Sequence, residues 1–155
     1  AHDPYVPQAA FDAAGVQRVD LDTLARESDY ISLHVQATPE TRGLIDARFL
    51  ALMKPNAYLI NTSRGAIVNE PDLIAALQQG HIAGAGLDVF AAEPLPADSP
   101  LIAMDQVVLT PHTASYADAT FQSLRRRVAQ SALAVVRGGL PEFVANPRVL
   151  DRLRR

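Results

Sequence analysis

Short β-branched runs alternate with helical stretches over most of the chain. Ile31-Ser-Leu-His-Val35, Ala57-Tyr-Leu-Ile-Asn61, Ala83-Gly-Ala-Gly-Leu-Asp-Val89 and Val107-Val-Leu109 all read as buried strands. Between them the pattern predicts a short helix over 21–28 behind an Asp20 cap. A second runs over 46–52 and ends at Lys54-Pro55, where proline stops it. The segment 69–79 is the best punctuated. Asn69 caps it, Pro71 sits in its first turn, Leu73, Ile74 and Leu77 share a face, and Gly80 closes it. Strand–helix–strand alternation of this kind implies an α/β fold with a parallel sheet and helices on its faces.

The two ends differ from this body. From Ser115 onward, Ala117, Phe121, Leu124, Val128, Ala132 and Val135 recur at spacings of three and four, one apolar stripe on a helix of roughly six turns. Ser115 with Asp118 resembles a capping box, and Gly138-Gly139 terminates the helix. Pro94 to Pro100 is a proline-rich loop, and Pro141 to Pro147 a polar exit segment. At the start, Ala1 to Val6 looks like the end of a strand, with Pro4 and Pro7 marking a loop. No glycine-rich phosphate loop precedes it, and nothing before it supplies a first strand and helix. In a doubly wound sheet that first strand is central. The expectation is a truncated chain whose sheet has a gap where the strand belongs.

Composition narrows the class. With 155 residues, 48% of them hydrophobic, the chain suits one domain with its own core, although 26 alanines make the large-side-chain core more modest. A net charge of −3 argues against a general nucleic-acid binder. The charge is uneven: residues 1–114 are net −8 and residues 115–155 net +5, through Arg125, Arg126, Arg127, Arg152, Arg154 and Arg155 among others. A solvated helix face and a basic end account for that excess, the alternative being a contact with an acidic surface. No run approaches the ~18 apolar residues of a membrane span, and no basic-then-apolar secretory segment opens the chain, so a cytoplasmic location is expected. The absence of cysteine excludes a disulfide scaffold, a thiolate zinc site and a cysteine nucleophile.

Three residues carry candidate chemistry. His112 follows Val107-Val-Leu-Thr-Pro111 at the carboxyl end of a strand, the edge where open α/β sheets bind ligands. Arg64 lies just past the strand ending at Asn61, and Glu93 past the strand ending near Val89. Three successive strand ends thus deliver an arginine, a carboxylate and a histidine to one rim. The planar fork of an arginine suits a small carboxylate substrate. A carboxylate hydrogen-bonded to an imidazole favours its protonated form and fixes its orientation, which makes a general acid/base. None of His2, His34, His81 and His112 pairs with another at metal-ligand spacing, so no metal site is expected. His34 ends a strand beside this rim, and His81 follows Gly80 in a turn.

Asn61-Thr-Ser-Arg-Gly-Ala-Ile-Val68, Gly86-Leu-Asp-Val-Phe-Ala-Ala-Glu-Pro94 and Thr110-Pro-His112 resemble the three catalytic blocks of the NAD-dependent D-2-hydroxyacid dehydrogenases. His34-Val-Gln-Ala-Thr-Pro-Glu-Thr-Arg-Gly-Leu-Ile45 resembles that family's strand-to-loop segment beside the cofactor, with Gln36 where proline is common. The likeness runs from residue 1 to about Gly139. It implies a Rossmann-like doubly wound sheet lacking its first strand and helix. Residues 1–114 would be a partial dinucleotide-binding domain, 115–139 a long helix returning toward an absent substrate domain, and 140–155 a tail. The resemblance implies that Arg64 holds the substrate carboxylate and carbonyl oxygen, that His112 exchanges a proton with that oxygen, and that Glu93 hydrogen-bonds His112. Asp3 would bind the adenosine ribose hydroxyls of NAD, disfavouring a 2′-phosphate. Val35, Gln36, Thr62, Ser63, Arg64, Asp88, His112 and Ser115 would line the rest of the cofactor site.

The implied partners are NAD and a small 2-hydroxy or 2-oxo carboxylate, with no nucleic acid, no membrane, and a homodimer in the full-length form. Without a pyrophosphate loop the isolated chain is expected to be inactive, since backbone donors are lost from the cofactor site. The rival classes are a dinucleotide-sensing, corepressor-like interaction protein and a split-gene product that pairs with a separate partner.

Overall fold

The structure, a computed structural model, describes residues 1–153. Arg154 and Arg155, counted above in the basic tail, lie outside the described residues. A first compact unit spans Ala1–Ala114 and a second begins at Ser115.

The first unit contains α1 (Gln8–Ala13), α2 (Leu21–Glu27), β1 (Tyr30–Leu33), α3 (Ala47–Leu52), β2 (Tyr58–Asn61), α4 (Glu70–Gln78), β3 (Gly84–Leu87) and β4 (Val107–Leu109). The four strands form one parallel sheet in the order β1-β2-β3-β4, the parallel α/β arrangement expected from the alternation and the Rossmann-like one that the resemblance implies. Parallel neighbours need crossovers; α3 and α4 supply two, and the third runs through residues 88–106. The helix starts follow local chemistry. Asp20, Asp46 and Asn69 each cap a helix, their side-chain oxygens accepting the amides of Thr23, Phe49 and Asp72.

The core lies on one face of the sheet. Ile31, Leu33, Leu59, Ala85 and Leu87 pack with Phe49 and Leu50 of α3 and with Leu73 and Leu77 of α4. The reading of all four strands as buried is corrected here: Tyr30, Ser32, Tyr58 and Val108 point away from that core and are exposed. On the open face the Tyr30 and Tyr58 rings stack, with centroids 5.6 Å apart.

Two strands, β1 and β3, are also shorter than expected at their carboxyl ends. Leu33, Asn61, Leu87 and Leu109 are paired across the sheet, so all four strands stop along one line. Val35, Asp88 and Val89, read as strand, lie past it. The strand end expected over Ala1–Val6 is absent. That segment is bonded instead to the stretch before α2, Ala1 donating its amine to the Gln17 carbonyl and accepting from the Val19 amide.

The second unit holds α5 (Asp118–Val136) and α6 (Leu150–Leu153). Ser115 does not cap α5. The helix begins three residues later, behind Ala117 with no side-chain cap, and has about five turns rather than six. Its end matches expectation. Gly138 takes a left-handed φ of 77°, and the Gly138 and Gly139 amides reach back to the Val135 and Ala134 carbonyls. None of its residues is buried. Among the described residues no helix is long and apolar enough to cross a membrane.

Candidate active site

Because the strands end in register, the segments that follow them occupy one edge of the sheet. Arg64 is three residues past Asn61, Glu93 six past Leu87, and His112 three past Leu109.

The turn carrying Arg64 is tied by a buried amide. Asn61 donates Nδ2–H to the Arg64 carbonyl at 3.0 Å and accepts from both the amide and the hydroxyl of Ser63. This Asx turn places Arg64 at the surface. One guanidinium nitrogen donates to the Ser63 carbonyl at 2.6 Å, and Arg64 forms no ion pair among the described residues. Its remaining donors face no protein acceptor there, as capture of a small carboxylate requires.

Glu93 and His112 meet directly. His112 Nδ1 lies 2.8 Å from Glu93 Oε2, and Glu93 Oε1 accepts the Phe90 amide at 3.1 Å. The Glu93 carboxyl is held below its ordinary value, first by the hydrogen bond from His112, then by the Phe90 amide, with the charges of His112 and Arg64 adding. Glu93 is therefore a carboxylate whose accepting oxygens hold the imidazole by Nδ1, leaving Nε2 as the ring nitrogen able to exchange a proton with a ligand. Both side chains are close to half exposed. They line a cavity of about 300 Å³ whose other walls are Thr110 and the apolar Phe90, Pro94, Leu95, Leu109 and Pro111. Arg64 is not among its lining residues, and approaches the pair from the neighbouring turn.

His112 adopts φ 57°, a region that non-glycine residues rarely occupy. Asp88 over-determines it. The Asp88 carbonyl accepts the His112 amide at 2.8 Å, and its carboxylate accepts the Thr110 hydroxyl and the Thr113 and Ala114 amides. Expected to line the cofactor site, Asp88 is instead 3% exposed, with its carboxylate turned into this loop. Burial pushes its carboxyl up, but the Thr110 hydroxyl, the two amides and the charge of His112 together outweigh that and leave it below its ordinary value.

A second cavity, of about 380 Å³, gathers Asp3, His34, Val35 and Gln36 with Thr38 and Thr41. Asp3 Oδ1 accepts the Tyr5 and Val6 amides, leaving Oδ2 without a partner among the described residues. An open carboxylate oxygen at the mouth of a mixed polar cavity fits a ribose diol. Thr62 is exposed beside Arg64, and Ser115 is exposed at the start of the second unit. Sequence reasoning passed over Asn61, Glu70 and Thr110. Only Asn61 left a local signal, an Asn two residues before a Ser at a strand end.

A parallel sheet presenting such a row of side chains at its carboxyl edge is an α/β nucleotide-binding architecture. Residues 1–114 match the family described as D-isomer specific 2-hydroxyacid dehydrogenase, NAD binding domain, and the chain belongs to that family. It is 46% identical over 136 residues to a glyoxylate reductase of Korarchaeum cryptofilum, a match covering 88% of this chain and 41% of that protein. Over 146 residues it is 40% identical to a D-3-phosphoglycerate dehydrogenase of Methanocaldococcus jannaschii, covering 94% and 28% respectively. The crystal structure of D-lactate dehydrogenase with NAD+ from Lactobacillus jensenii superposes with a TM-score of 0.84 at 30% identity, covering 94% of this chain and 47% of that one. The chain thus spans less than half the length of each of these relatives.

Proposed function

We propose that this chain is the cofactor-binding part of an oxidoreductase that moves a hydride between NAD(H) and C2 of a small D-2-hydroxy or 2-oxo acid. The observation that carries this reading is the 2.8 Å Glu93–His112 contact on a strand-end rim that also bears Arg64. Arg64 binds the substrate carboxylate and the oxygen on C2 through its open donors. His112 gives a proton to that oxygen during reduction and takes it back during oxidation. Glu93, kept ionised, orients the ring and stabilises its protonated form. Asp3 accepts the ribose hydroxyls of the cofactor, while Val35, Gln36, Thr62 and Ser63 line its path along the sheet edge. The bound nicotinamide supplies or accepts the hydride. The family match and the D-lactate dehydrogenase structure with NAD+ support the cofactor. The glyoxylate reductase and phosphoglycerate dehydrogenase relatives support a small oxo or hydroxy acid. The full-length protein is proposed to act as a homodimer.

In that full-length protein, His112→Gln is expected to lower turnover of a 2-oxo acid about a thousandfold while leaving NADH affinity nearly intact. Arg64→Ala is expected to raise KM for the oxo acid far more than Kd for NADH. Steady-state kinetics beside NADH fluorescence titration read both. Equal loss of nucleotide and oxo-acid binding in either variant contradicts the assigned roles.

A further inference from the structure

Two consecutive amides in the loop that carries Glu93 are taken by two different carboxylates. Phe90 N–H donates to Glu93 itself, while Ala91 N–H donates to Glu70 Oε2 at 3.0 Å across 21 residues of sequence. Glu70 is the first residue of α4, the helix that follows the Arg64 turn. The same two segments touch a second time at Gly65. A Cβ built there would lie 1.9 Å from the Phe90 carbonyl oxygen and 2.7 Å from the Ala91 nitrogen, so the two backbones are in direct contact. Glu70 makes no ion pair among the described residues.

We propose that Glu70 is a positioning residue: its carboxylate hooks the Ala91 amide and fixes the Glu93 loop against the Arg64 turn, so that Glu93 meets His112 in one geometry. Gly65 provides the close approach, and Glu70 the directional bond that sets the loop once the backbones touch. Without it, the loop from Phe90 to Glu93 keeps its internal bond and the non-directional contact at Gly65, and the Glu93 carboxylate is held to the imidazole less firmly. The proposal takes its meaning from the reading of Glu93 and His112 as an orienting carboxylate and an acid/base, but its test needs no turnover.

The structural alternative is that Glu70 serves only as a negative charge at the amino end of α4, where helix dipoles favour one. Two conservative variants separate the roles. Glu70→Gln keeps the reach and an accepting oxygen but loses the charge, whereas Glu70→Asp keeps the charge and is one methylene too short for Ala91. The readout is the titration of the Glu93 side-chain carboxyl by carbon-13 NMR in the full 155-residue chain, assigned with Glu93→Gln. The groups facing Glu93 are His112, Arg64 and the Phe90 amide, all unchanged in both variants. Glu70→Asp is expected to move the Glu93 midpoint up toward the ordinary glutamate value, and Glu70→Gln to leave it at or below that of the parent chain. An unmoved midpoint in folded Glu70→Asp overturns the proposal, as does an upward shift in Glu70→Gln matching that of Glu70→Asp. A lack of oxo-acid reduction in the full-length protein would instead count against the proposed reaction and leave this titration standing.

Discussion

His112 and Asp88 show how much of the site depends on single groups. A histidine at φ 57° is held there because four hydrogen bonds converge on Asp88, one through its carbonyl and three through its carboxylate. Asp88→Asn keeps the shape but turns one accepting oxygen into a donor facing an N–H, a mismatch costing about 1–3 kcal/mol. A lowered midpoint in chemical denaturation is the expected result. Acid should act on the same bonds. Because the Asp88 carboxyl is depressed in the folded state, its contribution is complete above the ordinary carboxyl range and is lost as pH falls through the lowered value. Thermal stability of the parent chain is expected to drop on acidification below about pH 4, and that of Asp88→Asn to drop less steeply in the same window. Parallel decline in both would remove Asp88 from the account.

Turns rather than strands decide the site at the next scale. β2 and β3 end in register, and the segments beyond them are held together by Gly65 lying on the Phe90–Ala91 backbone. Gly65→Ala has no way to relax except by moving main chain, since the atoms it meets are backbone. Separation of the Arg64 turn from the Glu93 loop is the expected consequence, read as a lower Tm together with an upward shift of the Glu93 titration. By contrast, alanine at Gly86, which meets only the Ile60 side chain at 3.9 Å, is expected to leave both measurements close to those of the parent. The contrast tests whether the contact at the site, rather than glycine content in the sheet, sets the geometry.

On the scale of the whole molecule, the first unit buries a continuous core while the second exposes its apolar stripe. Phe121, Leu124, Val128 and Val135 on α5 are between 36% and 61% exposed, enough contiguous apolar surface to drive association. The 155-residue chain is expected to self-associate at micromolar concentration, and Leu124→Glu with Val128→Glu to shift it toward monomer in analytical ultracentrifugation. A parent chain monomeric throughout that range would remove the stripe as a sticky surface.

Alternation of short apolar runs with capped helices was enough, read from the chain alone, to establish the parallel α/β class, because period and punctuation are local properties. The same holds for the caps at Asp20 and Asn69 and the glycine stop after α5, whereas Asp46, read as the first residue of its helix, proved to be the cap. That Arg64, Glu93 and His112 lie along one edge was legible as an expectation, since each follows a strand and parallel strands end together, and the direct contact is between Glu93 and His112. Tertiary structure alone decided which strand faces are covered, where the strands stop, and that Ala1–Val6 forms no strand, because these depend on which neighbour supplies packing or pairing. It also turned Asp88 inward beneath His112 and brought Glu70 to Ala91. Such bonds join residues about twenty positions apart, and nothing in local sequence records the distance between them.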